Sequence, residues 1–581
     1  MYIATVVGKD SLDSPLRSIM IRYLVLLLQA TAVVASSSGT ASKPDWLPSF
    51  TKEELSSYLN LAKDRHHQNV RQARESYFHY AENQEETDDD DLLLRQLQFD
   101  DYAIQGHGRL PDFADELDRR VFVTKSETPL FTQQECADCI QAAETHFMET
   151  TNDGQWTLLP SGQYDVAGLW IKDVPPVKQW FNHMVETRLF PLLQQQFPHF
   201  VQSKQDLCVD NAYLFKYTPE TGRRTDVHTD SGCLSFTIAL NGQDDYEGGG
   251  TWFEGLSQNE SETTNNGGGI IEMDVGQATI RPGGVRHCGH AVTQGTRYII
   301  GGFCMNAKKV EHVRMLLGLG SELASQQKYE KARDVLYAAI ALNPHFDGPY
   351  SHLADVLETL GDTTKAQQVL EHCLEHVNPN SGEIAYSLGV IYLNQEQYHK
   401  CHACATICLQ SDDCDVDAMM LCAQACAGQQ HAAGEAQWLH RIVTTPGASP
   451  QVVGKAYCNL GILASQNENE SAEDEINYYQ KSLELLPDRF APLYSLGCAY
   501  ASQQQWGPSV DTFRQAVNAA ETEEEEVSAL KHLYRCTQHK LQQDPTAPSS
   551  REAMMQAFTQ LMGAENFQKL AALQQQQQQA Q

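Results

Sequence analysis

A chain of 581 residues is too long for a single hydrophobic core, so about two to four domains are expected. Its composition, 41% hydrophobic and 20% charged, is that of globular protein. The formal net charge of −33 argues against nucleic acid and against an anionic membrane surface, both of which need clustered Lys and Arg. It leaves neutral or basic substrates open.

In residues 1–35, Arg22 supplies a short basic region and Tyr23 to Ala35 an apolar run. "AVVASS" then offers small residues for cleavage. The run is shorter than the roughly 20 apolar residues of a membrane span. It therefore predicts a secretory signal peptide, with an uncleaved type II anchor as the alternative and Met20 as an alternative start. Localisation in the endoplasmic reticulum lumen or secretory pathway follows as an expectation. The 16 cysteines and the sequons at Asn259 and Asn469 are compatible with it.

Residues 36–120 read as a helical, acidic N-terminal segment. "TKEELSSYLNLAKDRHHQNVRQARESYFHYAENQ" has helical periodicity, with Thr51 and Glu54 forming a capping box. "EETDDDD" at 85–91 lacks the spaced ligands and turn glycine of a calcium loop and reads as a solvated acidic stretch.

From residue 121 to 306 the pattern changes. "FTQQECADCIQAAETHF" and "VKQWFNHMVETRLFPLLQQQF" are amphipathic helices, with strand-like "AGLWIKDV" between them. Short candidate strands then follow at close intervals: "NAYLFKYTP", "LSFTIALN", "GGGTWFE", "GGIIEMDV", "GQATIRPG", "HAVTQG" and "TRYIIGGFCMN". Such spacing, punctuated by Gly, Asn and Asp, predicts a β-sandwich or barrel.

Residues 311–545 are wholly helical and repetitive. "LGSELASQQKYEKARDVLYAAIALNP" matches the tetratricopeptide pattern of paired helices, and the small residue at the helix crossing recurs at Gly320, Ala354, Gly389, Gly461 and Gly497. A degenerate repeat is expected near 417–446. Five or six repeats predict a solenoid whose concave face can hold a protein partner. The tail, 546–581, carries one more weak helix and "QQQQQQ" and reads as disordered.

The chemistry centres on "DVHTDSG" and "RHCGHAVTQGTRY". On an extended segment His228 and Asp230 share a face, and a distant second imidazole would complete a 2-His-1-carboxylate set with open metal positions. His287 lies 287 − 228 = 59 residues on, with His290 as the rival third ligand. The glycines of "YEGGGTWFE" suit a turn beside a cavity, and Arg297 suits a bidentate grip on a carboxylate.

These strings, "HTD", "EGGGTWF" and "HCGHAVTQGTRYIIGGF", resemble the 2-oxoglutarate- and Fe(II)-dependent dioxygenases of the prolyl 4-hydroxylase and lysyl hydroxylase type. "FTIALN" and "GTRYI" are closest to the lysyl hydroxylase branch. In that family the distal histidine precedes the 2-oxoglutarate-binding Arg or Lys by ten positions, and 297 − 287 = 10 selects His287 over His290. The resemblance implies a double-stranded β-helix (jelly-roll) catalytic domain, with His228, Asp230 and His287 holding Fe(II). It further implies Arg297 and Tyr217 on 2-oxoglutarate, O2 as co-substrate and L-ascorbate as reductant. Tyr217 stands eleven residues before His228, against about ten in the family.

The implied activity is hydroxylation of a peptidyl residue, prolyl first and lysyl as the alternative, on a polypeptide in the secretory pathway. Related collagen prolyl hydroxylases also carry tetratricopeptide-like helices, but before the catalytic domain, so the order here leaves the substrate open. The rival reading is a tetratricopeptide scaffold with a degenerate, non-catalytic barrel. Cys136 and Cys139, and the helix-face trio Cys401, Cys404 and Cys408, read as packing; a zinc site recruiting Cys414, Cys422 and Cys426 is the alternative.

Overall fold

The computed structural model describes residues 44–77, 94, 96–104, 117, 119–150, 156, 167–219, 225, 227–230, 232–257, 268–411, 415–445, 448–467, 471–544, 546–548 and 550–579. The signal-like segment, the acidic stretch at 85–91 and both sequon asparagines lie outside these residues. The chain divides into Met1–Ser49 and Phe50–Gln581, and the second unit holds both the sheets and the repeats. No helix of the described residues is long and apolar enough to cross a membrane.

Helix α1 (Lys52–Tyr77) begins at the expected capping box. The Thr51 amide donates to Glu54 Oε2 at 2.7 Å, and the Glu54 amide to Thr51 Oγ1 at 3.2 Å. Its buried stripe (Ala62, Val70, Ala73, Tyr77) keeps helical spacing, and the Tyr77 hydroxyl both donates to the Ala212 carbonyl and accepts from the Ala212 amide.

Thirteen strands among the described residues make three sheets. They are β1 (Phe99–Ile104), β2 (Arg120–Thr124), β3 (Ala167–Trp170), β4 (Leu207–Tyr217), β5 (Leu234–Ala239), β6 (Tyr246–Gly248), β7 (Thr251–Phe253), β8 (Leu256–Ser257), β9 (Gly269–Ile271), β10 (Ala278–Pro282), β11 (His287–Gly289), β12 (Val292–Gly295) and β13 (Arg297–Asn306). The largest sheet runs β3-β4-β13-β5-β10-β2-β1-β8, beside a three-stranded sheet β11-β7-β9 and the pair β12-β6. Its spine is β4 against β13, antiparallel from Arg297↔Tyr217 to Asn306↔Leu207.

Alternation along the strands sets two cores. Phe122, Ile238 and Ile280 pack with α2 (Gln133–Thr150) and α3 (Pro175–Met184), whereas Val121, Val123 and Ala239 pack with Phe253 and Ile271 of the small sheet. The domain boundary expected at residue 121 is displaced: β1, in the segment read as helical, pairs with β2 and β8. Its sequence, "FDDYAI", puts two acids inside the strand, which hid it from pattern reading.

Helix α2 is tied to the outer face of the spine by Glu144, which accepts from Lys216 Nζ (2.7 Å), Trp156 Nε1 (3.0 Å) and the Tyr298 hydroxyl. Burial pushes this carboxyl up, but those three donors outweigh it and hold it below its ordinary value. A depressed carboxyl stabilises the fold above its unfolded pKa, and that stabilisation is lost as pH falls through the folded value. In thermal melts from about pH 7 down to pH 3, the deficit of Glu144→Gln relative to wild type should be full at pH 7. It should close below the usual carboxylate range.

After β13 the chain forms six helix pairs: His312–Ser325 with Tyr329–Leu342, Gly348–Thr359 with Thr363–His372, Gly382–Asn394 with Tyr398–Ser411, Val416–Gly428 with Ala432–Thr444, Pro450–Gln466 with Ala472–Leu485, and Phe490–Ser502 with Trp506–Ala519. Helices Glu523–Gln543, Arg551–Met562 and Ala564–Gln579 follow. The turns inside the pairs repeat a left-handed residue at Gln327, Gly361, Glu396, Gln430 and Gln504, and the period shows directly in 361 − 327 = 34 and 430 − 396 = 34. The crossing glycines touch the partner helix, as expected: a Cβ on Gly320 would stand 2.7 Å from Leu336 Cγ, and one on Gly497 2.9 Å from Phe513 Cζ. Gly320→Val should therefore lower stability by about 1–3 kcal/mol through overpacking, read as a lower denaturant midpoint.

The tail expected to be disordered is helical through Gln579. Phe558, Met562 and Leu570 are buried with Leu533 and Phe513, because the last pair would otherwise expose its apolar face. The cysteines of the described residues are unbridged, and all but Cys498 are buried, which agrees with packing.

Candidate metal centre

The two histidines and the aspartate converge. One ligand atom from each of His228, Asp230 and His287 lies within 4.8 Å of the others, and no further group of three or more His, Cys, Asp or Glu among the described residues does the same. Cys414 of the cysteine zinc alternative lies outside the described residues. His228 Nε2 is 3.7 Å from Asp230 Oδ1, and His287 Nε2 is 3.5 Å from Asp230 Oδ2.

The backbone that holds them differs from the extended strand expected. His228 makes a single bridge, exchanging amide–carbonyl bonds of 3.0 Å with His287, and the Asp230 amide turns to the Gly283 carbonyl at 2.8 Å. Upstream, the Thr225 hydroxyl accepts from the Gly289 amide at 2.7 Å. A loop thus runs beside β11, and two ligands 59 residues apart become neighbours.

His287 is locked in one tautomer. Its Nδ1 is 2.9 Å from the Val285 carbonyl, which can only accept, so Nδ1 carries the proton and Nε2 offers its lone pair to the site. Burial, then the Arg281 cation, lower its pKa to about 3, so the ring is neutral. Burial alone would raise Asp230, but its neighbours, with the Arg281 guanidinium the permanent cation among them, hold its carboxyl below the ordinary value. A neutral His287 imidazole beside an ionised carboxylate suits a first-row divalent ion. His290 is absent from the cluster; its amide donates to the Gly250 carbonyl at 3.0 Å.

A cavity of about 250 Å³ opens onto the triad, lined by Tyr213, Tyr217, Thr237, Arg281 and Phe303 among others. Arg297 and Tyr217 face each other across the β4–β13 register, with the guanidinium 5.5 Å from the Tyr217 ring. Arg297 Nη1 donates to the Gly250 carbonyl at 2.9 Å, and its Nε is buried without a hydrogen-bond partner. The three glycines before β7, Gly248, Gly249 and Gly250, have φ of 74°, 75° and 90°, and a Cβ on Gly249 would stand 3.1 Å from Arg297 Cδ.

A second, larger groove of about 710 Å³ shares His228, Thr229 and Asp230 with the cavity. It reaches Arg65 of α1 on one side and His352 and Glu383 of the repeats on the other.

Two arginines that reach the three converging side chains or their loop escaped the sequence reading. Arg281, 2% exposed, projects at the triad from β10; its signal was an arginine alternating with Ile280 and in phase with Thr279. Arg314, 8% exposed, comes from the first repeat helix. Its Nη1 donates to the carbonyls of Asp230 and of Gly232 (2.9 Å), and its Nε is paired with buried Glu311 at 3.3 Å. An arginine inside apolar "HVRMLLGLG" was its only trace.

The tetratricopeptide-repeat family model matches residues 313–346 and 349–375, the first two helix pairs. The C-terminal region is a tetratricopeptide-repeat solenoid. Solved structures similar to part of the chain include the C-terminal part of a repeat protein from Cytophaga hutchinsonii (16% identity, TM-score 0.32, 41% of this chain and 98% of that one). YrrB, described as a repeat protein with an unusual peptide-binding site, is another (16%, 0.28, 34% and 97%). MamA is a third (20%, 0.26, 30% and 97%). No curated protein matches the chain.

Proposed function

We propose that the sheet region is an Fe(II)- and 2-oxoglutarate-dependent dioxygenase that hydroxylates a peptidyl residue, prolyl first and lysyl as the alternative, and that the repeats hold its polypeptide. In this reading the facing eight- and three-stranded sheets form a double-stranded β-helix. The observation that carries it is the convergence of His228, Asp230 and His287 ligand atoms within 4.8 Å at the floor of a cavity.

Bound there, Fe(II) with O2 and 2-oxoglutarate would supply the oxidising chemistry for an unactivated C–H bond, with ascorbate as the reductant that keeps the iron ferrous. The chain does the rest. His228, Asp230 and His287 present three donors on one side and leave the other side open. Tyr217, on the cavity wall, and Arg297, whose guanidinium stands 5.5 Å from the Tyr217 ring with its Nε buried and unpartnered, are the groups this reading assigns to the far carboxylate of the acid. The apolar walls at Phe303 and Ile299 keep bulk water out. The larger groove supports an extended polypeptide laid past His228 toward the first three repeats. Secretory-pathway placement belongs to the same reading and rests on the run Tyr23–Ala35 alone.

The repeat match supports a second reading, a protein-binding scaffold whose barrel performs no chemistry. Succinate formation from 2-oxoglutarate, with Fe(II) and ascorbate and with or without Pro- and Lys-containing peptides, separates the two. Peptide-stimulated turnover is the expected result. Wild-type protein that binds no iron and forms no succinate would leave the scaffold.

A further inference from the structure

We propose that Arg281 is a resident cation of the metal centre that couples metal binding to binding of the 2-oxo acid. Without the acid it claims the same ligand atoms as the metal; with the acid it turns to a carboxylate. The inference rests on the dioxygenase reading of the triad and adds a residue that nothing in the motif assigns.

Arg281 is paired opposite Ser235, and Thr279 opposite Thr237, in the β10–β5 ladder, so Thr237, Thr279 and Arg281 share one face. Its Nη1 lies 3.1 Å from Thr237 Oγ1 and 3.3 Å from Thr279 Oγ1, which anchor one edge of the guanidinium. The plane is carried 5.5 Å from the Phe253 ring centroid. Nη2 is then placed 3.1 Å from Asp230 Oδ2 and 2.7 Å from His287 Nε2. Nε is buried with no hydrogen-bond partner, leaving donor capacity in hand.

The tautomer of His287 makes this a competition. Nε2 has one lone pair; an N–H of Arg281 uses it now, and a metal ion would have to take it. Arginine cannot shed its proton to yield, so a metal must push the guanidinium aside, and the threonine anchors keep it close. Two cations would then share a nearly dry site, where like charges repel strongly. A carboxylate arriving beside the metal relieves that repulsion and gives Nη2 and Nε an acceptor. The metal and the acid should therefore each tighten the other by one common factor, as linkage requires.

The test is Mn(II) affinity, followed by electron paramagnetic resonance, with and without saturating 2-oxoglutarate, in wild type, Arg281→Gln and Arg281→Lys. Glutamine keeps donors for the threonines and removes the charge. Arg281→Gln should bind Mn(II) about tenfold more tightly than wild type when no acid is present. The gain on adding acid should shrink by a similar factor; the acid's own contacts with the metal remain. Arg281→Lys, still cationic, should stay near wild type. Unchanged or weaker acid-free Mn(II) binding in Arg281→Gln, or no tightening by acid in wild type, would overturn the coupling while leaving the metal centre intact. Wild-type protein that binds no Mn(II) would overturn the metal centre itself, and this inference with it.

Discussion

His287→Ala is expected to weaken Fe(II) or Mn(II) binding by more than about 100-fold and to abolish succinate formation, while His290→Ala leaves both near wild type. The scale follows from loss of a direct ligand, since removing even the outer partners of metal-bound histidines costs about 10–100-fold. The site cannot repair the loss locally. His290 belongs to no ligand cluster, and its amide is bonded to Gly250, so its backbone position is fixed. In His287→Ala the Arg281 guanidinium would remain on Asp230 and strengthen its claim on the only carboxylate. Equilibrium metal titration of the two variants beside wild type checks this. Loss of binding in His290→Ala with retention in His287→Ala would put the register wrong by three residues.

Arg314→Ala should cost about 3–5 kcal/mol in folding stability, because it strips a charge from the buried pair with Glu311. The same variant should weaken metal binding about 10–100-fold, although Arg314 is not a ligand. Its Nη1 holds the carbonyls of Asp230 itself and of Gly232, so its removal loosens the carboxylate. Arg314→Lys should recover part of the stability and less of the affinity, since an ammonium cannot meet Glu311 and both carbonyls from one plane. Denaturant unfolding and metal titration read the two effects separately. A stability loss with unchanged metal affinity would mean that the repeats only prop the sheet region.

These two residues mark the limits of sequence reading. The solenoid was legible because its physics is local and repeated: each helix pair needs a small residue where backbones cross, and Gly320, Gly389, Gly461 and Gly497 recur for that reason. The strands from Leu207 onward were legible through alternation and turn glycines. β1 was not, because acids at 100 and 101 break the alternation and only the neighbouring strands select it. The helical tail was missed because its apolar residues are sparse and gain their burial from the preceding repeat.

By itself the sequence determined the repeat architecture and singled out His228, Asp230 and His287, whose side chains converge. Spacing within a segment encodes which face a side chain takes, and the resemblance to the hydroxylase-type dioxygenases, through the interval to Arg297, pointed to His287. Only the tertiary structure decided that Arg281 lies on the ligand atoms and that Arg314 of the first repeat clamps the loop of Asp230. Such contacts join residues 51 and 84 positions apart through sheet register and helix docking, and no local pattern carries that information. The sheet region and the solenoid are distinct in sequence, yet Arg314 of the first repeat helix reaches the loop of Asp230 beside the three converging side chains.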